Sequence, residues 1–187
     1  LARRADADGE TAYRWNRSGQ LAGVTLPDGA SWTYRYDAFG RRVGKEGPRQ
    51  VVDFVWDGDV VLHEVHTPHG RDAQVVSWEF ADDGFEPIAR LEGGQQLLCV
   101  NDAAGAPTEL VDAGGEVVWE SRLSSWGAPP PDEAPGPRLD CPVRYQGQWH
   151  DAETGLNYNR FRYYDPLTGR YLSPDPIGIG RGSNVWA

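Results

Sequence analysis

The sequence predicts an all-β protein built from short hairpins that follow one another along the chain. Its 187 residues include 23 glycines, 14 prolines, 8 tryptophans and 8 tyrosines. Aromatic residues favour strands, and glycine and proline favour the turns between them, so this composition indicates many short strands separated by turns. A repeated strand-and-turn phrase and a near absence of helix signals indicate the same fold class.

The first half of the chain repeats one phrase. Its first two copies, residues 13–19 and 34–40, lie 21 residues apart, and related copies begin at residues 54 and 78. Each copy has aromatic residues at positions i and i+2, which share one face of a strand. In the first two copies Asn or Asp is followed three residues later by Gly, which is typical of a β-turn. One hairpin cannot bury its aromatic face alone, so the repeat predicts a stacked or spiralling array.

Further turn signals divide the rest of the chain. Asp28-Gly29 and Ala113-Gly114-Gly115 each stand between apolar strand-like runs and predict two more hairpin turns. Five prolines between residues 128 and 137 predict an irregular surface connector. We therefore expect a repeat wall over residues 1–127, a connector over residues 128–141 and a different C-terminal part over residues 142–187.

Composition and charge exclude several classes of function. The formal net charge of −10 argues against a nucleic-acid partner, because such proteins cluster Lys and Arg to neutralise phosphates. No apolar run approaches the roughly 20 residues that span a bilayer, and no signal peptide opens the chain. Cys99 and Cys141 are too few and too far apart for a disulfide framework or a zinc site, so we expect two unpaired packing cysteines. We expect no cofactor and no metal, and we expect the chain to be part of a longer protein.

The C-terminal part carries the most specific motifs of the chain. In order and spacing they resemble the Rhs-associated core of Rhs/YD-repeat proteins. Weaker matches upstream extend the resemblance over nearly the whole chain, through residues 36–42, 56–59, 83–87, 105–110 and 126–127. The C-terminal motifs are Gly147-Gln148, Glu153-Thr154-Gly155-Leu156, Tyr158-Asn159, Arg162-Tyr163-Tyr164-Asp165-Pro166, Gly169-Arg170-Tyr171 and Asp175-Pro176-Ile177-Gly178.

This resemblance implies a fold and a function. In the family, and in the similar cocoon subunits of Tc toxins, the repeats look like a spiral β-sheet wound into a hollow cocoon. The cocoon encloses a C-terminal toxin, and the core plugs one end and cuts the toxin free. The expected partners are the parent's own toxin domain and the remaining repeats of the shell, with a secretion apparatus or chaperone protein as a further partner. The expected location is outside a bacterium, as a secreted effector in competition between bacteria.

The resemblance also implies the chemistry of cleavage. Two aspartates that share one proton can activate water against a peptide bond. Asp175 matches the first of the family's two Asp-Pro motifs, and Arg162 matches an arginine that assists the site. The second Asp-Pro motif is expected further along the parent protein, beyond Ala187, because the similar Asp165-Pro166 has the context of a hairpin turn. We therefore expect the parent to be an aspartyl self-protease and this chain alone to be inactive.

Each of these residues also has a simpler interpretation. Asp175 precedes a proline and suits a turn, and Arg162 could form a surface ion pair with Asp165 or another carboxylate. The Asp165-Pro motif itself has the context of a hairpin turn. Asp151 and Glu153 could be proposed as the acid and nucleophile of a glycosidase, but two residues apart in a turn-like segment they are poorly placed for it.

Two further hypotheses rest on ring side chains. His63, His66 and His69 recur at every third position, but strand positions three apart point to opposite faces, which argues against one shared metal ion. The many tyrosines and tryptophans could instead stack on sugars, as in an extracellular YD-repeat module that adheres to carbohydrate or protein. The complete core signature favours the toxin shell over this adhesion module.

Overall fold

Within the residues that the structure describes, every regular element is a β-strand, and the strands form two sheets. The computed structural model describes residues 2–6, 9–82, 84–129, 140–145 and 147–174. The first sheet, here called the wall, is antiparallel with its 12 strands in chain order. They are β1 (Arg3–Asp6), β2 (Gly9–Trp15), β3 (Leu21–Thr25), β4 (Ser31–Tyr36), β5 (Arg42–Glu46), β6 (Gln50–Asp57), β7 (Val60–Pro68), β8 (Gln74–Phe80), β9 (Pro87–Glu92), β10 (Gln95–Asn101), β11 (Pro107–Val111) and β12 (Val117–Glu120).

The second sheet, here called the core sheet, has four antiparallel strands, also in chain order. The predicted all-β class and its hairpin array are confirmed by the order of both sheets. The predicted connector over residues 128–141 lies largely outside the described residues. The core strands are β13 (Trp149–Asp151), β14 (Leu156–Asn159), β15 (Arg162–Asp165) and β16 (Arg170–Tyr171).

The turns of the wall use the residues that the repeat predicts. The amides of Gly19 and Gly40 donate to the carbonyls of Asn16 and Asp37, each at 3.1 Å. The side-chain Oδ1 of Asn16 and of Asp37 accepts two further backbone N–H groups within its own turn. Both glycines have positive φ angles, +74° and +80°, which glycine adopts without steric cost. The other two predicted turns also join neighbouring wall strands.

A β-bulge recurs in the strand that follows each copy of the repeat, opposite the second aromatic residue. The strand register shifts immediately before Trp15, Tyr36, Trp56 and Phe80, at intervals of 21, 20 and 24 residues. A bulge bends its strand and increases the local twist. Bulges repeated at one position of the repeat therefore curve the wall progressively along its length.

All the repeat aromatics face the core sheet. The first aromatic of each copy is buried in one apolar cluster, and the second packs against that cluster. The core sheet supplies Trp149, Leu156, Tyr158 and Tyr163 to the same cluster. The predicted common face of positions i and i+2 is confirmed, and it binds the second sheet. The wall aromatics are Tyr13, Trp15, Tyr34, Tyr36, Phe54, Trp56, Trp78 and Phe80.

The wall wraps around the core sheet. Trp149 meets the ring of Trp78 on β8 edge-on, with centroids 5.9 Å apart, and Asp165 accepts a hydrogen bond from Arg4 on β1 at 3.4 Å. In a flat sheet β1 and β8 would lie about 34 Å apart, whereas four strands span only about 15 Å. A curved wall brings both strands within reach of the same small sheet.

Four aromatic rings lie against turn glycines where the wall and the C-terminal part meet. A Cβ atom built on any of these glycines would stand only 3.1 to 3.3 Å from the ring. All four glycines also have φ between +67° and +80°. Each position therefore requires glycine both for its backbone and for the space above it. The contacts pair Phe161 with Gly40, Tyr145 with Gly127, Phe85 with Gly147 and Trp126 with Gly169.

Gly40→Ala should destabilise the protein more than the matched variant Gly19→Ala. Both substitutions place a Cβ in the left-handed region, at a cost of about 1 to 2 kcal/mol. At Gly40 the new methyl group would contact the ring of Phe161, whereas at Gly19 no atom lies within 4 Å of the new Cβ. We expect a further loss of about 1 kcal/mol from this overpacking. Urea unfolding of both variants measures the difference, and equal losses would show that the ring contact contributes nothing.

Candidate functional site

The junction between the two sheets is built around Arg42 on β5. Its side chain is only 1% exposed, and its guanidinium carbon lies 4.6 to 5.8 Å from the centroids of four rings. Tyr34 and Phe54 belong to the wall, and Tyr158 and Tyr163 belong to the core sheet. A desolvated cation–π contact stabilises by roughly 2 kcal/mol. One buried charge therefore attracts aromatic rings from both sheets.

Four charged groups meet beside this aromatic cage. Arg42 Nη1 donates to one oxygen of Asp151, and Lys45 Nζ donates to the other at 2.9 Å. Lys45 also donates to both oxygens of Glu153, at 3.0 and 2.9 Å. The Asp151 carboxylate is fully buried, and the side chains of Lys45 and Glu153 are 11% and 9% exposed. The wall supplies both cations and the core sheet and its first turn supply both carboxylates, so the charges balance only when the two sheets are docked.

The bulge in β5 places both cations on the same face. Arg42 and Lys45 are three residues apart, and in a regular strand they would point to opposite sides of the sheet. Arg35 pairs with Gly44, and Tyr36 pairs with Arg42, which leaves Val43 as the extra residue. The extra residue reverses the alternation, so both basic side chains face the core sheet.

Two hydroxyl groups and an indole add further hydrogen bonds to Arg42. Its Nη1 donates to Tyr163 Oη at 3.1 Å, and that hydroxyl lies 3.2 Å from Tyr36 Oη. The Arg42 backbone amide donates to Tyr158 Oη at 2.9 Å, and its carbonyl accepts from Trp56 Nε1 at 2.8 Å. Side chain and main chain of Arg42 are thus both held by aromatic residues of the two sheets.

The electrostatics of the cluster set its charge states. Burial alone would raise the pKa of Asp151, but Arg42 and Lys45 outweigh it and lower that pKa to about 2. Burial and the neighbouring Asp151 raise the pKa of Glu153, against the attraction of Lys45. Burial would lower the pKa of Lys45, but the two carboxylates raise it. Removing Asp151 would leave the buried charge of Arg42 without its partner, which costs about 3 to 5 kcal/mol.

The sequence pattern does not predict this junction. Asp151 and Glu153 lie in a segment that the pattern identifies as turn-like, and no motif singles out Arg42 or Lys45 as a partner for them. One signal was available, since Lys45 is the single lysine among 18 basic residues. Lysine differs from arginine in carrying a compact ammonium with three rotatable donors.

The structure describes Arg162 but not Asp175, the other residue predicted to act in cleavage. Asp175 lies outside the described residues. Arg162 begins β15, where burial alternates, and the next residue, Tyr163, is buried against the wall. Arg162 therefore faces away from the wall. Its guanidinium carbon stands 3.5 Å from the centroid of the Tyr171 ring.

The hairpin turn predicted at Asp165 is confirmed. The Asp165 carbonyl accepts from the Gly169 amide at 2.8 Å, and its Oδ1 accepts from the Leu167 amide at 3.0 Å. These bonds close the connection between β15 and β16. The buried carboxylate also accepts from Arg4 of the wall at 3.4 Å, so this turn is tied to the first wall strand.

The histidines and cysteines of the described chain have separate surroundings. Within the described residues no group of three or more His, Cys, Asp or Glu side chains could hold a metal ion. Nor does this part contain a helix long and apolar enough to cross a membrane. Cys99 and Cys141 are free thiols, and burial raises the pKa of Cys99 to about 12. The ring nitrogens lie near separate partners: His63 near Ser77 Oγ at 2.8 Å, His66 near Glu64 Oε2 at 3.3 Å and His69 near the Gly47 carbonyl at 3.1 Å.

Known proteins share this sequence over most of its length. Residues 1–180 match the family model described as Teneurin YD-shell. The probable deoxyribonuclease RhsA of Dickeya dadantii is 37% identical over 180 residues, which are 92% of this chain and 12% of that protein. Toxin protein Tse5 of Pseudomonas aeruginosa is 37% identical over 191 residues, covering 82% of this chain and 14% of that protein. The tRNA3(Ser)-specific nuclease WapA of Bacillus spizizenii is 31% identical over 172 residues, covering 91% and 7%.

Solved structures share the fold. The crystal structure of TcdB2-TccC3-TEV superposes with a TM-score of 0.72 at 23% identity and covers 94% of this chain and 9% of that one. TcdB2-TccC3 without its hypervariable C-terminal region gives a TM-score of 0.72 at 22% identity, with the same coverage. The chain thus spans about an eighth of its first curated relatives and less of these structures.

Tyr163→Phe should destabilise the protein, whereas Tyr34→Phe should not. The Tyr163 hydroxyl accepts from buried Arg42, and its loss leaves a buried donor unpaired at a cost of about 1 to 3 kcal/mol. The Tyr34 hydroxyl is also buried but has no hydrogen-bond partner among the described residues. Chemical unfolding of both variants measures the contrast, and a loss of equal size in Tyr34→Phe would contradict the assigned role of the Tyr163 hydroxyl.

When the pH is lowered from 7, the free energy of unfolding should increase more for the wild type than for Glu153→Gln. The pKa of Glu153 is raised in the folded state, so its stabilising contribution is complete below its ordinary value of 4.5 and is lost as pH rises through the folded-state pKa. The opposite holds for Asp151, whose contribution is lost only as pH falls through about 2. Free energies of unfolding between pH 4.5 and 7 test this, and identical slopes for the two proteins would refute it.

Proposed function

The chain belongs to the Teneurin YD-shell family, and from that premise we propose that it forms part of the wall of a protein shell that encloses a toxin. The kinship with Rhs/YD-repeat proteins that the sequence predicts is confirmed by its relatives. In the proposal, residues 1–127 form the wall segment, residues 128–141 connect it to the core, and residues 142–187 begin the plug. The proposed partners are the parent's own toxin domain and the rest of the shell.

One observation carries this proposal. Relatives named as a deoxyribonuclease and as a tRNA nuclease share this segment at 37% and 31% identity. A segment common to proteins that act on different substrates is better suited to a carrier than to the part that performs either reaction. A curved wall with a second sheet held on one of its faces is the architecture expected of such a carrier.

The proposal includes self-cleavage in the parent protein. Asp175 would be one of two aspartates that share a proton, and the second would lie further along the parent. One carboxylate would take a proton from the attacking water, and the other would protonate the leaving amine. Arg162 would assist by stabilising negative charge beside this pair. With one aspartate of the pair, the chain by itself would not cleave.

Export from a bacterium and the use of a secretion apparatus or chaperone protein belong to the same proposal. The homology to bacterial proteins named as toxins supports them. The alternative is an extracellular adhesion module, for which the exposed rings of Phe39 and Trp126 could serve as contact points. The shell is preferred because relatives with different named activities share this segment.

Intact-mass spectrometry of the parent, extended past Ala187 to its natural end, tests the self-cleavage. Wild type should split downstream of Ala187, and Asp175→Asn should remain whole because it lacks one carboxylate of the pair. Asp37→Asn is the matched control, since Asn16 occupies the same turn position in the preceding repeat and its Oδ1 accepts the same two backbone hydrogen bonds. Asp37→Asn should split like wild type. If Asp175→Asn also splits, Asp175 is a turn residue; if no variant splits, the adhesion module becomes the better interpretation.

A further inference from the structure

The core sheet has a second face, which points away from the wall and carries Arg162. Directly opposite residues of antiparallel strands share a face. Arg162 pairs with Asn159, and Tyr164 pairs with Tyr171. Positions two apart on a strand also share a face. These four residues therefore lie together on the side of the sheet opposite the Arg42 cage.

Tyr171 holds the guanidinium of Arg162. The distance from the guanidinium carbon to the ring centroid is 3.5 Å, against 4.6 to 5.9 Å in the eight other cation–ring contacts described. This short distance indicates a guanidinium stacked on the face of the ring, an arrangement that arginine favours over lysine. The ring thus restricts the rotation of the Arg162 side chain.

Tyr171 is itself held at two points. Asn159 Nδ2 donates to the Tyr171 hydroxyl at 2.8 Å. The ring of Tyr164 meets the Tyr171 ring at 62°, with centroids 5.4 Å apart. The amide fixes the polar end of Tyr171 and the neighbouring ring supports its apolar body. The orientation of the surface on which Arg162 lies is therefore set by the sheet.

We propose that Tyr171 and Asn159 are positioning residues that hold Arg162 in place for self-cleavage, an inference that rests on the proposed function. Neither residue needs to touch the reacting atoms. The backbone of β15 is anchored on its other face, where Tyr163 accepts from Arg42, so strand and side chain are both fixed. Rigid supports of this kind matter because a misplacement of about 1 Å can slow a reaction on the order of a hundredfold.

The test measures the rate of self-cleavage in the extended parent. Tyr171→Leu removes the ring and should slow cleavage by at least about tenfold, whereas Tyr171→Phe keeps the ring and should slow it by only about threefold. In this proposal Asn159 acts through the hydrogen bond that it donates to the Tyr171 hydroxyl. Asn159→Ala should therefore slow cleavage by about threefold in wild type and have no further effect in the Tyr171→Phe background.

The double-mutant comparison separates positioning from general damage to the fold. Additive effects of Asn159→Ala and Tyr171→Phe would overturn the inference, and this holds even if Tyr171→Leu fails to fold. Asp175→Asn and Arg162→Ala serve as references. If both variants cleave like wild type, the proposed mechanism of self-cleavage through Asp175 and Arg162 is wrong. If both are inactive while a folded Tyr171→Leu cleaves like wild type, the proposed function stands and the positioning role is wrong.

Discussion

The buried contact between Arg42 and Asp151 is the interaction on which the union of the two sheets depends. Removing charges from water is costly, and pairing each charge with an opposite one offsets part of that cost. Here Asp151 receives a different cation at each oxygen, and Lys45 also serves Glu153. The wall carries the cations and the core sheet carries the carboxylates. Neither sheet can bury this face without the other, so the cluster specifies how they dock.

The bulge of the repeat makes that contact possible and shapes the wall at the same time. Without the extra residue Val43, Arg42 and Lys45 would face opposite sides of the sheet. The same irregularity in neighbouring repeats bends the sheet toward a curve that surrounds the core. The repeated bulge that curves the wall thus also provides the local geometry for the charged junction.

Strand β15 connects this junction to the proposed chemistry. Its residue Tyr163 lies in the aromatic cage, and its neighbour Arg162 lies on the opposite face against Tyr171. Strand alternation alone places these two side chains on opposite faces. In the proposed function, a shell that holds a toxin and then cuts it free requires a cleavage site with a fixed position relative to the wall. One strand that is locked on one face and carries the arginine on the other meets this requirement.

The sequence by itself determined the hairpin array, its turns and the common face of the aromatic residues, because strand alternation and turn chemistry depend on neighbours in the chain. The motifs from Arg144 onward likewise identified the family. Tertiary structure decided the charged junction, whose partners Arg42 and Asp151 are 109 residues apart. It also decided which turn glycines receive a ring, as Gly40 receives Phe161. Strand alternation alone predicts the wrong face for a side chain that follows a bulge. Contacts between distant segments form only when the wall curves around the core sheet.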